Sequence, residues 1–271
     1  MTNKMKLSII TINYNNFEGL HKTLDSVVAQ TSKDFEWIVI DGGSTDGSRE
    51  LIEQYQHNMS YWCSESDNGI YHAMNKGVEM AHGEYIQFLN SGDVLECDSV
   101  VEDIIPYLQD SDLYLANMYH SRRLGKPDVN PASLSPEQIL HTLSFKGIMH
   151  PASYTRKDFL DRVGRFREDF RIISDWWFFF QAIVINKASV NYIPVVSVIF
   201  DESGISSTQP TMALEEKRKL SREYVALGQL FYFYQENYDI VTALKSNRIA
   251  FLLFRCYFYI YRKLKTKNIT K

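Results

Sequence analysis

Four aspartates define the chemistry open to this chain. Asp41 closes EWIVID at 36–41, Asp67 follows YWCS at 61–64, and Asp93 ends the turn Asn90-Ser91-Gly92-Asp93 after YIQFL at 85–89. Each therefore stands in a turn after a strand pattern. If those strands are parallel, the turns share one sheet edge, where open α/β folds bind ligands. Carboxylates gathered there repel one another unless a cation is present. Hard ions such as Mg2+ or Mn2+ prefer oxygen ligands and often complete their shell with substrate phosphates. That makes a nucleoside-diphosphate site the expectation, without a GxGxxG or GxxxxGK[ST] signature. Each turn taken alone also reads as an ordinary Asx turn. Asp175 opens the apolar run DWWFFFQAIVIN, where an acid in the first turn also simply favours the helix dipole.

The elements that must position these residues alternate. LSIITIN at 7–13 is rich in β-branched residues and short, as buried parallel strands are. Residues 17–30 place Leu20, Leu24, Val27 and Val28 at helical spacing. After the strand at 36–41, Ser44 or Thr45 can cap a helix that runs to about Tyr55. A short strand at 61–64, a helix at 72–81 closed by His82-Gly83, the strand at 85–89 and a helix at 99–109 complete the first half. Strand and helix in alternation with Gly-marked turns predict a mostly parallel α/β sheet flanked by helices. In the second half, strands at 112–119 and 191–200 enclose a polar loop at 122–135, the segment MHPASY at 149–154, a helix at 157–163 and the apolar helix from Asp175 to Asn186.

With 45% hydrophobic and 23% charged residues, the 271-residue chain has globular composition. A net charge of −4 and a pI near 6.0 give no reason to expect nucleic acid as a partner. From 240 to 271, however, there are eight Lys or Arg and no acid, which leaves −12 on the first 239 residues. Helices are expected at 211–234 and 240–265. In the second, Lys245, Arg248, Arg255, Arg262 and Lys263 fall within about a 100° sector. Ile249, Leu253, Phe254, Phe258 and Ile260 lie outside that sector, and Leu252 within it. The stripe fits either attachment to an anionic membrane surface or a helix that packs on the catalytic domain or on a second copy. Cys63, Cys97 and Cys256 form no CxxC pair, so neither disulfides nor zinc is expected and a reducing cytoplasm fits. The opening residues run directly into a strand pattern, so no signal peptide is expected. No uncharged apolar run approaches the ~20 residues of a spanning helix.

Six segments in order resemble the inverting nucleotide-sugar glycosyltransferases of family 2, which have a GT-A fold. They are SIITINYN at 8–15, IDGGSTDGS at 40–48, SDNGIYHAMNKG at 66–77, GEYIQFLNSGD at 83–93, HPASY at 150–154 and ISDWWF at 173–178. The NGIY…AMNKG and LNSGD variants look most like the branch that builds bacterial exopolysaccharide, colanic-acid type. The resemblance covers roughly 6–205. It implies a GT-A domain over 1–209, with a nucleotide-binding half to about 110 and an acceptor half to 209, and a helical extension over 210–271. It further implies that Thr11, Asn13, Tyr14 and Asp41 hold the nucleoside, with Asp67 lining the same pocket. Asp93 would bind a divalent cation, Mn2+ or Mg2+, that bridges the diphosphate. Asp175 would be the general base on the acceptor hydroxyl. Lys76 is a candidate to supplement the cation, or a helix-surface lysine. His150 would touch phosphate or acceptor, or only pack or cap; Trp176 would stack on a sugar or simply be buried.

Two departures stand out. The family commonly shows Asp-x-Asp-Asp where this chain has Asn90-Ser91-Gly92-Asp93, which leaves Asp93 and the Asn90 carbonyl as ligands. Either cation affinity is weak or a second ligand comes from elsewhere. Ser174 also replaces a common Glu beside Asp175. The expectation is a transferase, UDP-sugar favoured, acting on a glycan or lipid-linked glycan in the cytoplasm or at the inner face of the membrane. A nucleotidyltransferase would want a Gly-rich, Arg-containing first turn, and Asn13-Tyr14-Asn15-Asn16 is not one. The remaining alternative is a non-catalytic nucleotide-sugar-binding or scaffold subunit.

Overall fold

The strand β1 (Leu7–Asn13) is buried along its whole length because it has parallel neighbours on both sides, β2 (Phe35–Asp41) and β4 (Tyr85–Phe88). The computed structural model that shows this describes residues 5–122, 125, 127–128 and 147–223. β2 pairs in parallel with β3 (Tyr61–Ser64). The helices α1 (Phe17–Val28), α2 (Ser48–Tyr55) and α3 (Ile70–Met80) are the crossovers that parallel pairing requires. Asn16 starts α1, its Oδ1 accepting from Gly19 N–H at 3.2 Å. The helix then buries Leu20, Leu24 and Val27. Each such burial is worth roughly 1.5–3 kcal/mol, and Leu24→Ala would cost about 2–5 kcal/mol through the cavity it leaves.

The second half reverses direction. β7 (Ser153–Arg156) lies antiparallel between β4 and β6 (Leu113–His120), β8 (Val190–Phe200) runs parallel to β6, and β5 (Val94–Leu95) closes the edge antiparallel to β8. The sheet order is β3-β2-β1-β4-β7-β6-β8-β5. It is a mixed sheet, with its parallel run concentrated in the first half. The reversal matters for the site. β1, β2 and β4 present their carboxyl ends to one edge, and antiparallel β7 brings its amino end, with His150 just before it, to that same edge.

Four expectations change in detail. β5 and β7 have two and four residues, too short to show a period in the sequence. The helix expected at 99–109 is α4 (Val100–Ile104) followed by a 3-10 turn at Ile105–Tyr107. Pro106, which has no N–H to give, stops the α-helix there. Helix α5 (Lys157–Val163) agrees with expectation. The apolar helix is α6 (Ser174–Phe180), continued by a π turn at Gln181–Ile185. α7 (Ile205–Thr208) and α8 (Pro210–Glu223) follow β8. Most of the loop at 122–135, the end of the helix expected at 211–234 and all of 240–265 lie outside the described residues. The chain divides into compact units at Met1–Lys217 and Arg218–Lys271. The start of α8 thus belongs with the first unit, which holds every candidate site residue.

Candidate active site

The register of three parallel strands builds the first part of the site. Asn13 sits beside Asp41 across β1 and β2, and Asp41 beside Ser64 across β2 and β3. Asp41 is fully buried. Its Oδ1 accepts from Asn13 Nδ2 at 2.8 Å and Ser44 Oγ at 2.5 Å. Its Oδ2 accepts from Ser44 N–H at 2.9 Å and Ser64 Oγ at 2.6 Å. Burial works to raise this carboxyl, but the donors from Ser44, Ser64 and Asn13 outweigh it and hold Asp41 below the usual range. Asn13 Oδ1 is buried and accepts no hydrogen bond within the described residues. The loops are laced together: Asn15 N–H donates to Ser44 Oγ at 2.8 Å, Thr45 N–H to Asn15 Oδ1 at 2.9 Å, and Phe17 N–H to Asp46 Oδ2 at 2.9 Å. Gly42 lies where a Cβ would stand 2.7 Å from Asp67 Oδ2 and 3.2 Å from the Tyr14 ring. Asp41, Asp67 and Tyr14 therefore converge on one glycine, and Tyr14 is 66% exposed, leaving its ring face open.

The turn after β4 forms the second part. Thr23 Oγ1 on α1 accepts Gly92 N–H at 3.0 Å and donates to the Asp93 carbonyl at 2.7 Å. Gly92 has φ 105°, and a Cβ there would meet Asp201 Oδ2 at 2.6 Å. Glycine is required on both counts. Asp93 is 3% exposed and accepts Asp201 N–H on Oδ1 at 2.9 Å. Burial pushes its carboxyl up to about 7; the Asp201 carboxylate adds to this, while Asp201 N–H and His150 oppose it. A buried acid that burial leaves holding a proton near neutrality is one that a cation would displace the proton from. Asn90 Oδ1 is likewise buried without a hydrogen-bond partner among the described residues. Among the described residues no three His, Cys, Asp or Glu side chains converge as in a closed metal cage. The donor set fits an open site for a hard cation, with Asp93 and Asn90 Oδ1 as protein oxygens and the shell left for phosphate.

The third part joins distant segments. His150 Nε2 lies 3.3 Å from Asn90 Nδ2, and its Nδ1 lies 3.2 Å from Asp175 Oδ2. Tyr71 on α3 donates its hydroxyl to Asp175 Oδ1 at 2.8 Å, sharing that proton with the Ile172 carbonyl at 2.6 Å. Burial would raise Asp175; the hydrogen bond and charge of His150, with the Tyr71 hydroxyl, win and keep it ionised. Burial would lower His150, and Asp175 with Asp93 raises it instead. An ionised carboxylate linked through one imidazole to the strand-end turn has the protonation state that a base needs.

The other expected residues sort themselves plainly. Thr11 is fully buried, and its hydroxyl accepts from Trp37 Nε1 at 3.1 Å, so it serves the core and is not brought to the pocket. Lys76 pairs with Glu65 at 2.6 Å and stands within electrostatic reach of Asp67. Trp176 is 6% exposed and stacked on Phe180, which is the burial outcome. Sequence reasoning missed Ser44, Ser64, Tyr71, Thr23 and Asp201. Ser44 was legible, three residues past Asp41 in an Asx-type turn; the others depend on contacts between distant segments.

The family model for glycosyl transferase family 2 matches residues 8–167. An uncharacterized glycosyltransferase of Mycobacterium tuberculosis is 31% identical over 227 residues, which cover 81% of this chain and 84% of that one. A PGL/p-HBAD biosynthesis glycosyltransferase of Mycobacterium bovis is 30% identical over 213 residues, 74% and 79% of the two chains. Among solved structures, S. aureus TarS 1-349 in complex with UDP-GlcNAc superposes with a TM-score of 0.63 at 22% identity, over 76% of this chain and 61% of that one. A mannosyltransferase from Pyrobaculum calidifontis in complex with GDP-Man and Mn2+ gives 0.54 at 17%, over 72% and 57%. At such identities the structures establish the GT-A-like fold. The family model covers more than half of the chain and the two mycobacterial relatives most of it: the chain belongs to glycosyl transferase family 2.

Proposed function

We propose that this protein moves a sugar from a nucleoside-diphosphate donor, UDP-sugar favoured, to a hydroxyl of a glycan or lipid-linked glycan, with inversion at the anomeric carbon. The observation that carries the reading is the ionised Asp175, held by His150 and Tyr71 and joined through His150 to the Asn90–Asp93 turn. Asn13, Tyr14, Asp41 and Asp67 form the nucleoside pocket, with Lys76 near its rim. Asp175 takes the acceptor proton as the acceptor oxygen bonds to the anomeric carbon. The bond to the diphosphate breaks on the opposite face, and its electron pair leaves with the diphosphate. A divalent cation on Asp93 and Asn90 would neutralise that leaving charge. The NGIY and LNSGD variants support a place in bacterial exopolysaccharide assembly. The basic stripe at 245–263 supports attachment to the inner face of the membrane, and no described helix is long and apolar enough to cross one.

Calorimetry with UDP, GDP, dTDP and CMP, each with and without Mn2+, tests the donor site. One nucleoside diphosphate should bind tightly and only with the metal. Asp175→Asn should then lower turnover by roughly 10²–10⁴-fold with donor affinity intact. Full turnover in that variant would sink the base assignment. The reduced turn, with Asn90 and Gly92 in place of acids, favours a second reading as a binding subunit, which would show nucleotide binding with no transfer in either protein.

A further inference from the structure

Glu216, on α8, makes contacts that the sheet-edge chemistry does not explain. Its Oε1 accepts Arg171 N–H at 2.6 Å, and its Oε2 accepts Ile172 N–H at 3.0 Å and Ile173 N–H at 3.2 Å. Successive backbone donors converging on one carboxylate make an anion nest, here filled by a side chain of the same protein. Those donors lead directly into Ser174 and Asp175. The next residue, Lys217, has its Nζ 5.4 Å from the centroid of the Trp176 ring and stands within electrostatic reach of Asp175. Two adjacent residues of one helix thus hold the backbone that starts α6 and bring a lysine within electrostatic reach of the carboxylate it carries.

We propose that Glu216 is a positioning residue for Asp175: by seating α8 on the Arg171–Ile173 backbone it fixes the start of α6 and keeps Lys217, over the Trp176 ring, within electrostatic reach of the base. The proposal rests on the reading of Asp175 as base. The titratable groups that face Asp175 among the described residues are His150 from the turn before β7, Tyr71 from α3 and Lys217 from α8. His150 comes from the sheet edge and Tyr71 from the first turn of α3. Lys217 is carried by α8, so its distance from the base depends on how that helix is seated.

The test follows the Asp175 carboxyl carbon by NMR titration in the full chain, its signal assigned by its loss in Asp175→Asn. Lys217→Met should raise the midpoint by about one pH unit. Glu216→Gln and Glu216→Ala remove the same charge, but only Gln keeps an acceptor for the nest. The Ala variant should therefore titrate at least about half a pH unit above the Gln variant, with faster amide exchange at 171–173. If Ala prevents folding, Glu216→Asp, equal in charge to the native residue but one methylene short, replaces it and should titrate above wild type. Identical titration of Ala and Gln, or of Asp and wild type, would overturn the proposal and leave Glu216 a structural cap. Turnover of Asp175→Asn is scored separately. If it is undiminished, the base reading fails while the coupling through Glu216 is still decided by the titrations.

Discussion

Asp41 and Asp93 are both buried at the same sheet edge, yet they are held in opposite ways. Asp41 receives donors from Asn13, Ser44 and Ser64 on both oxygens and stays ionised. Asp93 has backbone donors from Asp201 and Asn90, no side-chain hydroxyl or amide partner among the described residues, and a second carboxylate at Asp201, and burial pushes it up to about 7. The first is fully supplied with donors; the second is raised by burial that His150 and two backbone N–H groups only partly offset. A donor pocket benefits from the first arrangement, since preorganised acceptors do not have to reorganise on binding. A cation site benefits from the second, because an underpartnered carboxylate has most to gain from the ion.

The contrast can be broken most sharply by pH. Asp93 titrates near 7 when folded and near 3.8 when unfolded, so between those values the folded state binds the extra proton. Stability of the metal-free protein should therefore fall as pH rises from about 4 to 7, by up to roughly 4 kcal/mol. Asp93→Asn should flatten that slope, and Mn2+ should restore stability above pH 7. Urea unfolding in EDTA at several pH values measures it; an unchanged slope in Asp93→Asn would assign the proton elsewhere. Asp41 is the opposite case. Asp41→Ala strands three side-chain donors and should cost about 2–4 kcal/mol at neutral pH. Because its folded carboxyl lies below its unfolded value, its contribution is present above about pH 4 and is lost as the pH falls further. A midpoint in denaturant that barely moves would show the network to be slack. Lys76→Met should have the smallest effect, with no resolvable change in unfolding, because its partner Glu65 is exposed. Nucleotide affinity in that variant should fall only a few-fold, as for a residue at the rim; a loss of a hundredfold would move Lys76 into direct phosphate contact.

What was legible in the sequence follows this same division. β1, β2, β3 and β4 were each visible as short β-branched or aromatic runs that end in polar turns, and parallel register then set Asn13, Asp41 and Ser64 side by side. Thr11 shares a strand face with Asn13, so alternation alone does not separate them; only the tertiary structure shows its hydroxyl accepting from Trp37 in the core. β5 and β7 were too short to announce themselves, and with them went the sense of the sheet's second half. Asp175 was legible as a first-turn acid, but its partners Tyr71 and His150 lie 104 and 25 residues away in the chain, and no local pattern connects them.

The sequence by itself determined the α/β alternation, the three aspartate turns at one edge and the depleted Asn90–Asp93 motif, because those are set by local periodicity and turn chemistry. Only the tertiary structure decided that Asp93 faces Asp201, that His150 joins Asn90 to Asp175, and that Glu216 seats the segment before Asp175. Charge and hydrogen-bond state depend on which groups are brought within a few ångströms through a water-poor interior. Sequence spacing does not carry that information when the partners come from different crossovers.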